Sequence, residues 1–185
     1  MSIYFTSDLH LGHNKEFLYK PRGFNNIYEH DKAIINNWNK VVKDDDTVII
    51  LGDIMLNDIN YAATCFNQLT GFKEIILGNH DTVAKQDLYH RLRGVMDIQL
   101  AKIIKYNNFN FFLCHYPTIC SSHGYEKHLK NRLINLCGHS HTNDPFADWD
   151  KGYIYHCELD AHDLMPICID QIIAEIKQKE LDTNI

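Results

Sequence analysis

Short apolar runs alternate with stretches of helical spacing through the first half of the chain. Ile3-Tyr4-Phe5 reads as a short strand. Over residues 27–42, Ile27, Ile34, Ile35, Trp38, Val41 and Val42 recur at spacings of 3, 4 and 7, the stripe of an amphipathic helix that takes Trp38 into the core. Thr47 to Leu51 is β-branched and short, so it reads as a buried strand. Residues 58–69 repeat the helical pattern, with Asn57 or Asp58 placed to cap it. Between these elements, Asp44-Asp45-Asp46 marks a solvated turn.

The second half alternates differently. Glu74 to Leu77 is a further strand. Val95 to Lys105 and Phe109 to Cys114 read as two strands joined at Asn107-Asn108. A helix is expected over residues 125–133, strands over Ile134 to Cys137 and Tyr153 to Glu158, and a last helix behind Asp170 that takes in Ile172, Ile173 and Ile176. Strands alternating with helices point to βαβ units, and the hairpin-like second half to mixed pairing. The fold class is therefore α/β. Ligands bind at the carboxyl ends of strands in such sheets.

Composition narrows the picture. The 185 residues suit a single domain, 1–185, with no repeat or linker. No apolar run reaches the length of a membrane helix, and the N-terminus lacks the pattern of a signal peptide, so a cytoplasmic location is expected. The six cysteines form no CxxC pair and are expected to be free thiols. A net charge of −6 without a basic cluster leaves no strong nucleic-acid signal and disfavours a nuclease. The 12 histidines are more than structure alone usually requires.

Most of the informative histidines stand directly behind apolar runs. Asp8 and His10 follow Ile3 to Phe5. Gly52-Asp53 follows Val48 to Leu51, and Gly78-Asn79-His80-Asp81 follows Ile75 to Leu77. His115 follows Phe111 to Cys114, and Gly138-His139-Ser140-His141 follows Ile134 to Cys137. On an extended chain residues i and i+2 share a side, so Asp8 with His10, and His139 with His141, are each placed to reach one ion. The glycines before Asp53, Asn79 and His139 permit close approach of the backbone. An isolated Gly-Asp is usually only a turn, but five such ends in order are not explained by chance.

This set resembles the signature of the calcineurin-like metallophosphoesterase superfamily. Ser7-Asp8-Leu9-His10-Leu11-Gly12-His13, Cys114-His115-Tyr116-Pro117 and Leu159 to Pro166 are similar to its small bacterial and phage branch. Many relatives carry Asn-Val-Gly before the last segment, where this chain has Tyr155-His156-Cys157-Glu158. The resemblance implies two mixed β-sheets packed as a sandwich and flanked by helices. It implies one metal held by Asp8, His10, Asp53 and His141 and another by Asp53, Asn79, His115 and His139. Asp53 would bridge them, and His80 would be the general acid.

The chemistry wants these residue types. Two divalent ions about 3.5–4 Å apart can share a water and bring its pKa toward neutrality, so attack by a bridging hydroxide is the expected nucleophilic step. Two carboxylates among neutral ligands leave the loaded centre positive, able to draw a phosphate to an acidic protein. Imidazole and carboxylate without thiolate suit Mn, Fe, Zn, Co or Ni rather than Ca. The resemblance puts Mn²⁺ first, with Zn²⁺, Fe²⁺ or Fe³⁺, Ni²⁺ and Co²⁺ as alternatives. A phosphodiesterase or phosphatase acting on a phosphorylated small molecule or nucleotide is expected. An inactive protein-interaction scaffold of the same fold is the competing class, and a homodimer is one open arrangement.

Other groups have two readings each. Asp81 either orients His80 in catalysis or caps a helix. His13 touches substrate at the mouth or is a loop residue, and His123 sits on a loop placed to cover the site. Arg22 is a substrate-phosphate clamp or a solvated loop residue. His30, His90 and His128 read as surface residues. His156 and His162 either face the pocket or stabilise a turn.

Overall fold

The computed structural model describes residues 1–120 and 132–183. Its strands are β1 (Ile3–Thr6), β2 (Thr47–Ile50), β3 (Phe72–Ile76), β4 (Val95–Gln99), β5 (Lys102–Tyr106), β6 (Phe109–Leu113), β7 (Leu133–Cys137), β8 (Ile154–His156) and β9 (Ile167–Cys168). Its helices are α1 (Glu16–Tyr19), α2 (Ile27–Val41), α3 (Ile59–Phe66), α4 (Val83–Tyr89), α5 (Trp149–Gly152) and α6 (Ile169–Thr183). No helix among the described residues is long and apolar enough to cross a membrane.

Two mixed sheets form. The first has the order β4-β3-β2-β1-β9, with β1 to β4 parallel and β9 antiparallel to β1. The second has the order β5-β6-β7-β8, antiparallel at β5–β6 and parallel beyond. Strand alternation divides the core. Ile49 and Leu51 join Phe111, Leu113, Ile134 and Leu136 between the sheets, where Ile172, Ile173 and Ile176 of α6 also pack. Val48 and Ile50 face the other way, against Ile34 and Trp38 of α2 and Ala62 and Phe66 of α3. Trp38 is buried, with its indole N–H on the Thr70 carbonyl at 3.0 Å. Asp58 caps α3 by accepting from the Tyr61 N–H at 3.0 Å.

Several expectations change. Residues 95–105 are two strands in different sheets, split at exposed Leu100, because apolar alternation runs unbroken through a change of partner. Asp170 does not precede the last helix. It lies in the first turn, and its carboxylate accepts from the Tyr106 hydroxyl at 3.2 Å and Asn107 Nδ2 at 3.3 Å. Asp46, expected in a solvated turn, is buried and accepts from the N–H groups of Ser2 and Lys43 at 2.6 and 2.9 Å. The helix expected over 125–133 lies outside the described residues except for its last two, and Leu133 opens β7. All six cysteines are free thiols.

Candidate metal centre

The parallel pairing of β1, β2 and β3 brings three of the five strand ends to one edge of the first sheet. The parallel β6 and β7 bring the other two to an edge of the second. The loops are then laced by backbone bonds. The Asp8 N–H donates to Gly52 O at 3.0 Å, that of His10 to Asp53 O at 3.0 Å, and that of Gly138 to His115 O at 2.9 Å.

Five of the expected ligands are held in left-handed backbone conformation: Asp8 at φ 57°, His10 at 49°, Asp53 at 56°, His139 at 75° and His141 at 50°. Such residues cost roughly 1–2 kcal/mol each and persist only where the surroundings over-determine them. The paired residues at i and i+2 therefore reach the site through left-handed turns, not along an extended chain as their spacing suggested. Nor do the second pair converge. His141 Nε2 lies 3.2 Å from His10 Nε2, whereas the His139 ring packs edge-on to His115, 5.0 Å between centroids.

Crowding explains the glycines. A Cβ at Gly52 would lie 2.5 Å from His115 Nδ1, and one at Gly138 would overlap Ser7 Oγ and Asp8 Oδ2.

Asp53 occupies the centre. Its Oδ2 is 3.9 Å from His10 Nε2, 3.6 Å from His115 Nε2 and 3.9 Å from His80 Nε2. Its Oδ1 accepts the His80 N–H at 2.9 Å. Asp8 is fully buried, with Oδ2 accepting from Ser7 Oγ at 2.6 Å and His139 N at 2.8 Å. Asp8 Oδ1 has no hydrogen-bond partner among the described residues and lies 3.7 Å from His10 Nε2 and 3.5 Å from His141 Nε2. Burial pushes the Asp8 carboxyl up, but the nearby imidazoles of His10, His141 and His115 hold it at about 2. Burial lowers His10.

The donor set fits a cation. His115 Nδ1 bonds the Leu51 carbonyl at 2.7 Å, and with the proton on Nδ1 the Nε2 lone pair would face Asn79 Oδ1, 2.9 Å away. Two acceptors facing one another, like the orphaned Asp8 Oδ1, are reconciled by a shared positive ion. Asp8, His10 and His141 bring ligand atoms within 4.8 Å of one another, as do Asp8, Asp53 and His115. Asp8 thus touches both groups.

The cleft above has a volume of about 620 Å³. His80 and Asn143 line it beside the candidate ligands His10, Asp53, Asn79, His139 and His141, and His13, Phe17, Leu18, Pro21 and Leu56 form a largely apolar wall. His13 stands at this mouth. Burial first, then the charges of His10 and His80, lowers its pKa to about 4.

Two expected roles are redirected. The Asp81 carboxylate neither orients the His80 ring nor caps a helix. Oδ2 accepts the N–H groups of Asp53 and Gly78, both at 2.8 Å, and Oδ1 accepts the Ile54 N–H at 3.3 Å and the Tyr89 hydroxyl at 2.6 Å. It ties two ligand-bearing loops together. Arg22 is no free phosphate clamp. It is buried with both prongs on Asp160, Nε at 2.8 Å and NH2 at 2.6 Å, while NH2 also donates to Asp8 O at 2.9 Å.

Asp160, which spacing did not single out, bonds His141 Nδ1 at 2.9 Å. Burial lowers the His141 pKa, but the hydrogen bond that Nδ1–H donates to Asp160 and the charge of Asp8 outweigh it and raise it. His30 is buried, not superficial, and pairs with Asp31 at 2.7 Å. The helical phase held that signal, since His30 falls between Ile27 and Ile34 on the buried stripe. His90 is exposed as expected. His156 is buried between Glu158 and Asp148, and His162 bonds the His156 carbonyl at 2.8 Å, so both stabilise the chain behind the site. His123 and His128 lie outside the described residues.

Comparison with known proteins places the chain among its relatives. Residues 1–155 match the family model of the calcineurin-like phosphoesterase superfamily domain. An uncharacterised protein of Methanocaldococcus jannaschii is 30% identical over 182 residues, spanning 95% of this chain and 92% of its own. The gene 66 protein of Mycobacterium phage L5 is 30% identical over 164 residues, spanning 78% of each. The crystal structure of a protein of unknown function from Aquifex aeolicus superposes with a TM-score of 0.68 at 25% identity, covering 100% of this chain and 99% of that one.

Proposed function

This chain belongs to the calcineurin-like phosphoesterase superfamily, and we propose from that premise that it is a single-domain, two-cation hydrolase of phosphodiesters or phosphomonoesters. The observation that carries the proposal is the place of Asp53, whose Oδ2 stands within 3.9 Å of His10 on one side and 3.6 Å of His115 on the other. A carboxylate so placed suits a bridge between two ions.

Asp8, His10, Asp53 and His141 would hold one cation, and Asp53, Asn79, His115 and His139 the other. The family resemblance puts Mn²⁺ first, and the imidazole and carboxylate donors also suit Zn²⁺, Fe²⁺ or Fe³⁺, Co²⁺ and Ni²⁺. When bound, such a pair supplies Lewis-acid neutralisation of phosphoryl charge and a lowered water pKa.

The chain's own groups supply the rest. Asp8 and Asp53 are the only anionic ligands in the proposed set, so the loaded site stays positive toward a phosphate. Neutral Asn79 preserves that charge where a third carboxylate would reduce it. His80 is 45% exposed with its backbone fixed by Asp53, which leaves the ring free to meet a substrate. Protonated, it gives its proton to the leaving oxygen, a step worth typically 10²–10⁴-fold. His13 stands at the mouth as a neutral contact to the organic part of the substrate.

The test is hydrolysis of aryl phosphodiesters and monoesters with each metal added in turn. Turnover of at least one ester, dependent on added metal, is expected. Absence of turnover for both ester classes with every metal would leave the scaffold reading in its place.

A further inference from the structure

The histidines around Asp53 are held by different means. His115 is buried and rests Nδ1 on the Leu51 main-chain carbonyl at 2.7 Å. His10 is fixed by burial, and its Nδ1 has no hydrogen-bond partner among the described residues. The His141 side chain keeps 37% of its surface exposed, so packing alone does not fix it. Asp160 does, through Oδ2 at 2.9 Å from Nδ1.

Asp160 is itself gripped from behind. The Arg22 side chain is only 2% exposed, and its fork meets both carboxylate oxygens, a geometry an ammonium cannot copy. Arg22 NH1 also meets His30 Nε2 at 3.0 Å. His30 Nδ1 lies 2.7 Å from Asp31 Oδ1, and Asp31 Oδ2 accepts the Gly12 N–H at 2.8 Å. One buried path therefore runs from the Gly12 loop through α2 to the rim of the centre. Polar groups out of water are costly unless each is satisfied, so the members of such a path hold one another in place.

We infer that Arg22 and Asp160 are positioning residues that set the affinity of the cation position formed by Asp8, His10 and His141, and leave the Asn79–His115 position unaffected. The inference rests on the two-cation reading above. The bond to Asp160, which accepts, keeps the proton on Nδ1 and turns the Nε2 lone pair toward Asp8 Oδ1, 3.5 Å away. The corresponding nitrogen of His115 rests on main chain, which no substitution of Arg22 or Asp160 removes. His141 and His115 thus depend on different supports.

The test is calorimetric titration of the chelator-stripped full chain with Mn²⁺, for the wild type, Asp160→Asn, Asp160→Glu, Arg22→Gln and Arg22→Lys. Outer partners of metal-bound histidines are typically worth 10–100-fold in affinity. The wild type is expected to take up two ions. Asp160→Asn is expected to weaken one of them by about that factor and to leave the other within about two-fold. Arg22→Gln should weaken the same ion, and combining it with Asp160→Asn should add less than the two separate losses together, because both support His141 while Arg22 also donates to the Asp8 carbonyl. Asp160→Glu should restore part of the loss.

Thermal unfolding of each stripped variant shows whether it is folded. Arg22→Lys, which keeps the charge but loses the second prong, carries the test if Asp160→Asn is not. Two ions in the wild type with both or neither weakened in the folded variants would overturn the inference. No Mn²⁺ bound by the wild type would overturn the two-cation reading and this inference with it.

Discussion

The carboxylate of Asp81 accepts the backbone N–H of Asp53 at 2.8 Å, joining the loop after β3 to the loop after β2. All four groups that meet this carboxylate are donors: the N–H of Asp53, Ile54 and Gly78 and the hydroxyl of Tyr89. Asp81→Asn keeps the shape but turns an NH₂ toward donors in a buried place. We expect a loss of about 3 kcal/mol in denaturant unfolding. Tyr89→Phe removes one of the four donors and should cost about 1 kcal/mol. Equal stability of Asp81→Asn and wild type would contradict this role.

How much of this was legible in the sequence depended on distance along the chain. Asp8, Asp53, Asn79, His115 and His141 could be singled out as candidates because they follow short apolar runs. The pairing that joins Arg22 to Asp160 spans 138 residues and leaves no local trace. Asp81 was noticed, but its role was not, because spacing does not show that its partners lie across the edge of the sheet. The split of residues 95–105 was hidden for a related reason. Alternation reports which face a side chain takes, not which strand it pairs with. His30 alone was readable and misassigned, since its helical phase outweighs its polarity.

Proton delivery by His80 has a kinetic signature. His80→Ala should lower kcat by about 10²–10⁴-fold on an alkyl ester, whose leaving oxygen needs the proton. The loss should be much smaller on a nitrophenyl ester, whose leaving group departs as an anion. Steady-state kinetics on the two ester types decides this. Equal losses would assign His80 a role other than general acid.

Close approach at Gly138 gives a second measure of the site. The Cβ of Gly138→Ala would overlap both Ser7 Oγ and Asp8 Oδ2, so Asp8 or the β7 loop must shift. A loss of about 1–3 kcal/mol in stability and weaker Mn²⁺ uptake are expected. Unfolding and metal titration of the variant check both. Unchanged metal uptake would show that Asp8 tolerates the shift.

Behind the metal centre, His156 makes stability depend on pH. Burial lowers its pKa, but the bonds and charges of Glu158 and Asp148 outweigh burial and raise it above 6.5. The imidazolium is thus favoured by folding. Its contribution is full below the unfolded value of 6.5 and is lost as pH rises through the folded one. The wild type should therefore exceed His156→Gln in unfolding free energy below pH 6.5, and the gap should narrow at higher pH. Denaturant unfolding of both proteins across that range measures it, and a gap that widens with pH would contradict the assignment.

We propose that the groups converging on Asp53 form a divalent-cation centre for phosphoester hydrolysis. The most direct measurement is the hydrolysis rate of an aryl phosphodiester by chelator-stripped protein as Mn²⁺ is added back, beside Asp53→Asn. No hydrolysis without metal, a saturable rise on addition and no rise for Asp53→Asn are expected. Hydrolysis that persists undiminished in the stripped protein, or that Asp53→Asn retains in full, would contradict it.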